Sequence, residues 1–447
     1  MKKIYLFVFF VLIAVFKNFA QTGIIKGIVL EAASDHPVEF ANILIENKQF
    51  GAITNEKGNF EIANVPSGIY NLRVSCIGYT TKTIFEIEVT NSKPVTLSIE
   101  IEPSATQLKE VEVKASPFTK QSESPVSVRT IGTNEIQRYP GGNRDISKVI
   151  QSLPGVGFTA SFRNDILIRG GSPAENRFYL DGIEIPNINH FATQGASGGP
   201  VGLLNVDFIR EVNFYSGAFP ANRGNALSSV MDIRMRDGRD DRFGLTATLG
   251  SSEFALSMEG PLKKLTDTLR HKKSKVESAT MLASARYSYL QGLFKVLKLP
   301  FLPSYLDVQY KIKMKLAHNN ELELIGLGAD DRFKLNLSAN STQQQKYLLN
   351  ILPEQSQWNY ALGAKYTHYF SESYLTVVVS RNMLGNAAYK YLNNDATQPK
   401  IFDYNSTEAE NKFRMEVNGR KSAWKYNYGF NYEFARYTNE TVQKISY

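Results

Sequence analysis

The sequence predicts a mainly β protein with three folded parts, and three patterns along the chain support this. Short β-rich runs separated by turn residues fill positions 22–102, glycine-punctuated strands with one helix fill 126–238, and long alternating strands follow Gly238. A chain of 447 residues suits about three domains of roughly 150 residues each. We therefore expect a β-sandwich over residues 21–102, a linker over 103–125, an α+β domain over 126–238 and an antiparallel transmembrane β-barrel over 239–447.

Residues 1–20 have the pattern of a secretory signal peptide. Lys2 and Lys3 precede thirteen apolar residues, Ile4 to Phe16, and the small residue Ala20 closes the segment. An uncleaved anchor helix is the alternative, but thirteen apolar residues are fewer than the roughly 18 of a membrane-spanning helix. We expect export and cleavage after Ala20.

Residues 22–102 have the strand and turn spacing of a small antiparallel sandwich. The predicted strands are the runs IIKGIVL, FANILIE, GNFEIANV, IYNLRVSCIGY and PVTLSIEIE. The next segment, Pro103 to Pro125, is rich in Ser, Lys, Glu and Pro and reads as an exposed linker with a short extended stretch around Val111 and Val113. Cys76 is the sole cysteine, which excludes an intramolecular disulfide framework and any multi-cysteine metal site within the chain.

The middle region combines one predicted helix, Arg144 to Ser152, with short strands broken by many glycines. After Gly238 the pattern changes to strict alternation with aromatic rings on the apolar face, which is typical of transmembrane barrel strands. In AWKYNYGFNYEF that face carries Trp424, Tyr426, Tyr428, Phe430, Tyr432 and Phe434. In QWNYALGAKYTHYF it carries Trp358, Tyr360, Leu362, Ala364, Tyr366 and Phe370. A soluble sandwich is the alternative reading of the same alternation.

Turn spacing favours the barrel. Polar tight turns fall at residues 318–320, 371–373 and 419–422, with longer polar stretches such as 330–355 between them, as in barrels with short periplasmic turns and long outer loops. Counting from Phe243 gives nine or ten strands. A 22-strand barrel would need roughly 550 residues. Since 209 residues follow Gly238, we expect the barrel to be incomplete in this chain.

Several segments together resemble TonB-dependent outer-membrane receptors. LIRGGSPAENRFYLDGIEIP (167–186) resembles the Ile-Arg-Gly strand and Leu-Asp-Gly hairpin of the family's plug domain. ISKVIQSLPGV (146–156) is similar to the plug helix and its Leu-Pro-Gly-Val, and residues 208–238 are similar to the closing plug segment. LKEVEVKA (108–115) resembles the energy-coupling box, and residues 22–102 resemble the carboxypeptidase-regulatory-like domain of Bacteroidetes-type receptors. The resemblance covers nearly the whole mature chain.

The resemblance to a plug domain suggests a structural role for the glycines in residues 167–186. Asp181 and Gly182 supply the positive φ angles of a primed hairpin turn. Gly170 and Gly171 permit a sharp turn or bulge and close packing of backbone. We expect Arg169 to be buried or half-buried and to find carboxylate partners on the plug or the inner barrel wall.

The resemblance implies a receptor of the outer membrane, with its N-terminal domain in the periplasm, that takes up a metal chelate, a glycan or a peptide. The coupling segment is Glu110, Val111, Glu112 and Val113, which a periplasmic TonB protein with its inner-membrane energising complex would capture as an added strand. A surface strand of the sandwich is the alternative for this segment. Residues 187–199 form a candidate ligand-facing plug loop that begins with Asn187, Asn189, His190 and Phe191. A surface lipoprotein is a further candidate partner, and no cofactor is expected.

Two chemical patterns suggest enzymes, and neither is complete. His36 to Glu39 has a His-x-x-Glu zinc spacing but lacks a recognisable third ligand, in a chain of five histidines. Gly195 to Gly199 matches Gly-x-Ser-x-Gly without the strand and helix of a hydrolase elbow. The net charge of +8 is scattered, and the run at 270–275 favours a solvated loop over attraction to anionic lipid or nucleic acid. A non-transporting exported interaction protein, or a degenerate receptor fragment, is the alternative function.

Overall fold

The computed structural model describes residues 22–32, 36–46, 48–90, 94–103, 128–142, 144–158, 164–192, 199–240, 242–250, 252–262, 276–316, 319–370, 373–421 and 424–444. The chain divides into two units, Met1–Pro117 and Phe118–Tyr447. No helix within the described ranges has the length and apolar character needed to cross a membrane. The predicted signal peptide and coupling segment lie outside the described residues.

The first unit is the predicted β-sandwich. Its strands are β1 (Thr22–Glu31), β2 (Asn42–Ile45), β3 (Gly51–Ile53), β4 (Asn59–Pro66), β5 (Gly68–Ser75), β6 (Lys82–Val89) and β7 (Val95–Ile101). They form two sheets, β4-β1-β7 and β3-β2-β5-β6, and β1 and β7 run parallel. Alternate residues of the strands, among them Ile25, Ile43 and Leu72, are fully buried between the sheets. The core is therefore built from every second residue of the strands. The sequence pattern did not predict β3 and β6.

The second unit begins with a small α+β domain, called here the middle domain. Its strands are β8 (Val128–Gly132), β9 (Val156–Phe158), β10 (Ile166–Ile168), β11 (Asn176–Leu180), β12 (Ile183–Ile185), β13 (Asn189–His190), β14 (Val201–Gly202), β15 (Ile209–Tyr215) and β16 (Ser229–Met235). Its helices are α1 (Thr133–Arg138) and α2 (Ile146–Gln151), with 3₁₀ turns at Pro173–Glu175 and Val206–Phe208. Five strands form one sheet in the order β12-β11-β16-β15-β8, while β9 pairs with β10 and β13 with β14. The central strand β16 is almost entirely buried.

The remainder of the second unit is a curved wall of nine antiparallel strands in sequence order. These are β17 (Gly244–Leu249), β18 (Glu253–Pro261), β19 (Val276–Ser288), β20 (Phe301–Leu316), β21 (Asn320–Leu335), β22 (Glu354–Tyr369), β23 (Ser373–Tyr391), β24 (Lys400–Lys421) and β25 (Trp424–Gln443). Two short helices, α3 (Leu290–Val296) and α4 (Gln343–Ile351), and a 3₁₀ turn (Leu392–Asn394) join strands at one end. Among the described residues β17 and β25 do not pair, so the sheet is not closed. The predicted antiparallel, incomplete barrel is confirmed, and its nine described strands fall within the predicted nine or ten.

The strand limits match the predicted turn pattern from β19 onward. β20 and β21, β22 and β23, and β24 and β25 are joined at one end by three residues or fewer, although β18 and β19 are separated there by residues 262–275. At the opposite end, β21 and β22 are separated by residues 336–353, which contain α4, although residues 250–252 join β17 and β18. Short connections at one rim and longer ones at the other are typical of a transmembrane barrel.

The inner face of the wall packs against the middle domain. In β20, Tyr305, Asp307 and Gln309 are buried, whereas Leu306 and Val308 between them are exposed on the outer face. The apolar core of the middle domain continues into the wall through residues such as Leu282 and Ile325. Along β20 the polar side chains Asp307 and Gln309 thus face inward and the apolar ones between them outward, as in a strand with water or protein on one side and lipid on the other.

Candidate functional site

The β11–β12 hairpin places a two-residue turn against the barrel wall. Leu180 pairs with Ile183, and the residues between them, Asp181 and Gly182, have φ angles of 47° and 91°. Only residues that tolerate positive φ fit such a turn, so the predicted Asp-Gly turn is confirmed. Asp181 Oδ1 accepts the Met235 N–H at 2.9 Å, which ties the turn to the end of β16.

A second tight turn follows β10. Arg169 and Gly170 have φ angles of 50° and 83°, and the Gly171 N–H donates to the Ile168 carbonyl at 2.8 Å. A Cβ at Gly171 would overlap the side chain of Ser228, so close approach requires glycine there. Arg169 is exposed and forms no ion pair with any described residue. The expectation of a buried, carboxylate-paired Arg169 is wrong, because the turn places this residue on the domain surface.

The turn at Asp181 also belongs to a buried charge cluster that joins the middle domain to the wall. Lys311 Nζ, on β20, lies 3.2 Å from Asp181 Oδ2, 3.1 Å from Asp237 Oδ1 and 3.8 Å from Glu323 Oε2. Lys313 Nζ lies 3.1 Å from Asp237 Oδ2. Burial alone would raise the pKa of Asp237, but Lys313 and Lys311 hold it well below its ordinary value. Asp237 is therefore held in its charged form, whereas burial raises the pKa of Asp181 and Lys311 opposes that shift.

A second cluster joins β12 to β24. Lys412 Nζ lies 2.5 Å from Glu184 Oε2, 2.8 Å from Glu410 Oε2 and 3.4 Å from Glu433 Oε1. Burial raises the pKa of Glu184, and Lys412 opposes that shift. The Asn382 side chain donates to the Glu184 carbonyl at 3.3 Å. Buried charges of this kind are stable only while their partners stay in place.

Residues 187–192, called here the apical segment, make a further contact between the middle domain and the wall. The imidazole of His190 is fully buried, with Nδ1 2.6 Å from Asp331 Oδ1 and Nε2 3.1 Å from Asp307 Oδ2. The Tyr305 ring stacks on the imidazole with centroids 4.1 Å apart. Arg286 donates to Asp307 Oδ2 at 2.8 Å. Burial disfavours the imidazolium, but the two aspartates raise the pKa of His190 above its ordinary value.

The neighbouring residue Asn189 ties the same segment to α2. Its side chain accepts from Ser147 Oγ at 2.7 Å and donates to Asp145 Oδ2 at 3.1 Å. Asp145 also caps α2 by accepting the Ser147 N–H at 2.8 Å, and it accepts from Asn164 at 2.8 Å. Burial raises the pKa of Asp145, and the hydrogen bonds from Ser147 lower it. The base of the apical segment is thus bound on both sides.

The four candidate ligand-facing residues have different surroundings. Asn187, Asn189 and His190 are buried, His190 against the wall and Asn189 against α2, and Phe191 is half-buried. The following residues 193–198 lie outside the described part of the chain, as do Glu110 to Val113. Because their side chains are buried, the first three residues have no free surface for a ligand.

The wall residues that bind the middle domain were not singled out from the sequence. They include Arg286, Asp307, Lys311, Asp331 and Lys412. A signal did exist, because each is a charged residue on the inward face of an alternating strand. Within the described residues, no three His, Cys, Asp or Glu side chains come close enough to hold a metal ion.

Comparisons with known proteins agree with this architecture. Residues 25–113 match the CarboxypepD_reg-like domain family, and residues 120–230 match the TonB-dependent Receptor Plug Domain family. The TonB-dependent transporter Oar of Myxococcus xanthus is 23% identical over 239 residues, which are 51% of this chain and 21% of Oar. This chain therefore spans about a fifth of the length of that relative.

Two solved structures are similar to this chain, and the first of them shows the same fold. FpvA of Pseudomonas aeruginosa, solved with heterologous pyoverdines, superposes with a TM-score of 0.50 at 12% identity, over 73% of this chain and 44% of FpvA. The ferric enterobactin receptor PfeA of Pseudomonas aeruginosa has a TM-score of 0.48 at 14% identity, over 70% of this chain and 49% of PfeA. This chain spans less than half of either structure.

These matches identify the middle domain as a plug and the nine-stranded wall as barrel strands. The plug family is that of TonB-dependent receptors, and the relative Oar is a TonB-dependent transporter. The chain carries a CarboxypepD_reg-like domain followed by a TonB-dependent receptor plug domain, and in both it is similar to TonB-dependent receptors.

Proposed function

We propose that this receptor takes up a ligand across the outer membrane by TonB-dependent active transport. The observation that carries the proposal is the contact between plug and barrel. Buried charge clusters around Lys311, Lys412 and His190 hold the plug against the wall. Charged groups regain water when they separate, so part of the energy lost on breaking such contacts is recovered by hydration. A plug held in this way suits reversible displacement.

The proposed coupling segment is Glu110 to Val113, ahead of the first plug strand β8. A short extended segment with small, simple side chains is suited to capture by strand addition, in which main-chain hydrogen bonds supply the affinity. Its partner is a periplasmic TonB protein with its inner-membrane energising complex. Force applied there would reach the plug through β8.

The proposed ligand surface is the apical plug loop, residues 187–199. The loop begins with the buried residues Asn187, Asn189 and His190, called here its base, and the half-buried Phe191 follows them. The substrate is a metal chelate, a glycan or a peptide, and a surface lipoprotein is a candidate partner in its capture.

Proline substitutions test the coupling step. Val111→Pro with Val113→Pro removes two backbone donors from the segment, so strand addition by TonB should fail. We expect energised uptake to be lost while ligand binding to the purified receptor is unchanged. The ligand is chosen by screening iron chelates, oligosaccharides and peptides for binding. Thr119→Pro, in the same linker, is the matched control and should transport normally. Unchanged uptake in the double variant would exclude this coupling segment.

A further inference from the structure

His190 lies where its charged form satisfies both neighbouring carboxylates. Both ring nitrogens lie within hydrogen-bonding distance of a carboxylate, Nδ1 of Asp331 and Nε2 of Asp307. An ionised carboxylate only accepts hydrogen bonds, and a neutral imidazole has one N–H. A neutral ring with its proton on Nδ1 would keep Asp331 and could accept from Arg286 Nη2, 3.4 Å from Nε2, but it would lose its bond to Asp307. The imidazolium donates to both aspartates at once.

The charged groups around the ring are consistent with an imidazolium. Asp307 and Asp331 come from β20 and β21, and Arg286 from β19 has its Nη2 3.4 Å from His190 Nε2. Two carboxylates thus face two cations. The Tyr305 ring covers the imidazole, and its hydroxyl bonds to Glu253, which also lies 3.7 Å from Arg286. On the plug side the nearest titratable group is Asp145, which binds the adjacent Asn189.

The same aspartates hold the backbone of the apical segment. The Phe191 N–H donates to Asp331 Oδ2 at 2.7 Å. Arg286, fixed by Asp307, donates to the carbonyls of Gly202 and Leu203 at 2.8 and 2.9 Å. His190 and Gly202 belong to β13 and β14, which pair at the base of the apical loop. Both ends of the loop are therefore bound to the wall through one shared pair of carboxylates.

We propose that His190, with Asp307 and Asp331, is a proton-dependent latch that holds the base of the apical plug loop against the barrel wall. When the imidazolium loses its proton, one of its two bonds to the wall is lost and the aspartates carry an uncompensated buried charge. The loop base then separates from β20 and β21. The role of the loop in ligand capture rests on the proposed function, whereas the latch itself does not.

The sign of the pH dependence follows from the direction of the shift. The pKa of His190 is raised in the folded protein relative to its ordinary value of about 6.5. The latch is therefore fully formed below about pH 6.5 and is lost as the pH rises through the raised pKa. Receptor at acidic pH should hold the loop firmly, and receptor at alkaline pH should release it.

Hydrogen exchange on the whole receptor in detergent tests the latch without a ligand or TonB. Amide protection of peptides covering 187–192 and 199–204 is measured from pH 5.5 to 9.5 and corrected for the intrinsic exchange rate. We expect protection in the wild type to fall about ten- to hundredfold as the pH rises, which is the effect of losing a charge-assisted hydrogen bond. His190→Gln should show the low protection at every pH. His368→Gln, a control at a half-buried histidine bonded to Asn320, should behave as wild type.

A second variant provides the test if His190→Gln folds poorly. Asp331→Asn leaves one carboxylate beside the ring, so the loss of protection should move to lower pH. Protection of β11 and β16 in the same samples reports whether the plug is folded. The latch is refuted if wild-type protection does not depend on pH, or if His190→Gln retains wild-type protection at pH 5.5. Failure of energised uptake alone would refute the transport proposal and leave this result standing.

Discussion

At the scale of single residues, local sequence predicts backbone geometry well and side-chain partners poorly. The Asp181–Gly182 turn could be predicted because positive φ is a property of the residues themselves. The partners of His190 could not, because Asp307 and Asp331 lie 117 and 141 positions further along the chain. Arg169 shows the opposite error: its burial was inferred from neighbouring motifs, and the turn exposes it.

Asp181 has separable roles that two substitutions distinguish. Asp181→Ala removes the acceptor of the Met235 N–H and places alanine at positive φ, whereas Asp181→Asn keeps an acceptor and tolerates the turn. Both lose the charge next to Lys311. We expect the alanine variant to lower plug stability by about 1–3 kcal/mol more than the asparagine variant. Proteolysis across a urea series measures this difference, and equal losses would contradict the role given to the backbone contact.

At the scale of elements, alternation predicted the long strands and their faces but did not predict all of the short helices and strands. β22 follows the predicted pattern, with Ala361 buried against the plug and Leu362 exposed on the outer face. The helix Thr133–Arg138 and the three-residue strand β9 were not predicted. Six residues or fewer give too little periodicity to distinguish a helix from a strand, so tertiary packing fixes these elements.

The outer face of β22 tests whether these strands lie in lipid. Leu362 is the ninth of sixteen residues in the strand, near its middle. Leu362→Lys should destabilise the receptor in bilayers by about 2–4 kcal/mol, because the charge must enter hydrocarbon. Leu362→Ala, which stays apolar, is the matched control and should cost much less. Denaturant titration in lipid vesicles measures both variants. A neutral or stabilising lysine would favour the soluble reading of this region.

At the scale of the molecule, composition and motif order predicted the sequence of domains, and three-dimensional packing added the way the plug is held. The order of sandwich, plug and barrel strands follows from changes in the alternation pattern along the chain. The three polar clusters on the inner wall depend on strand register across residues 276–443, which turn lengths and bulges set together. The substrate class is decided by loop surfaces, about which alternation carries no information.

The central claim is that TonB captures residues 110–113 and acts on the plug that follows. Single cysteines at Val111, Val113 and the exposed sandwich residue Glu61, each in a Cys76→Ser background, allow disulfide trapping in cells that express TonB with a cysteine in its periplasmic domain. We predict receptor–TonB adducts from Val111→Cys and Val113→Cys and none from Glu61→Cys. Absence of adducts at both linker positions, or equal trapping at Glu61→Cys, would contradict this claim.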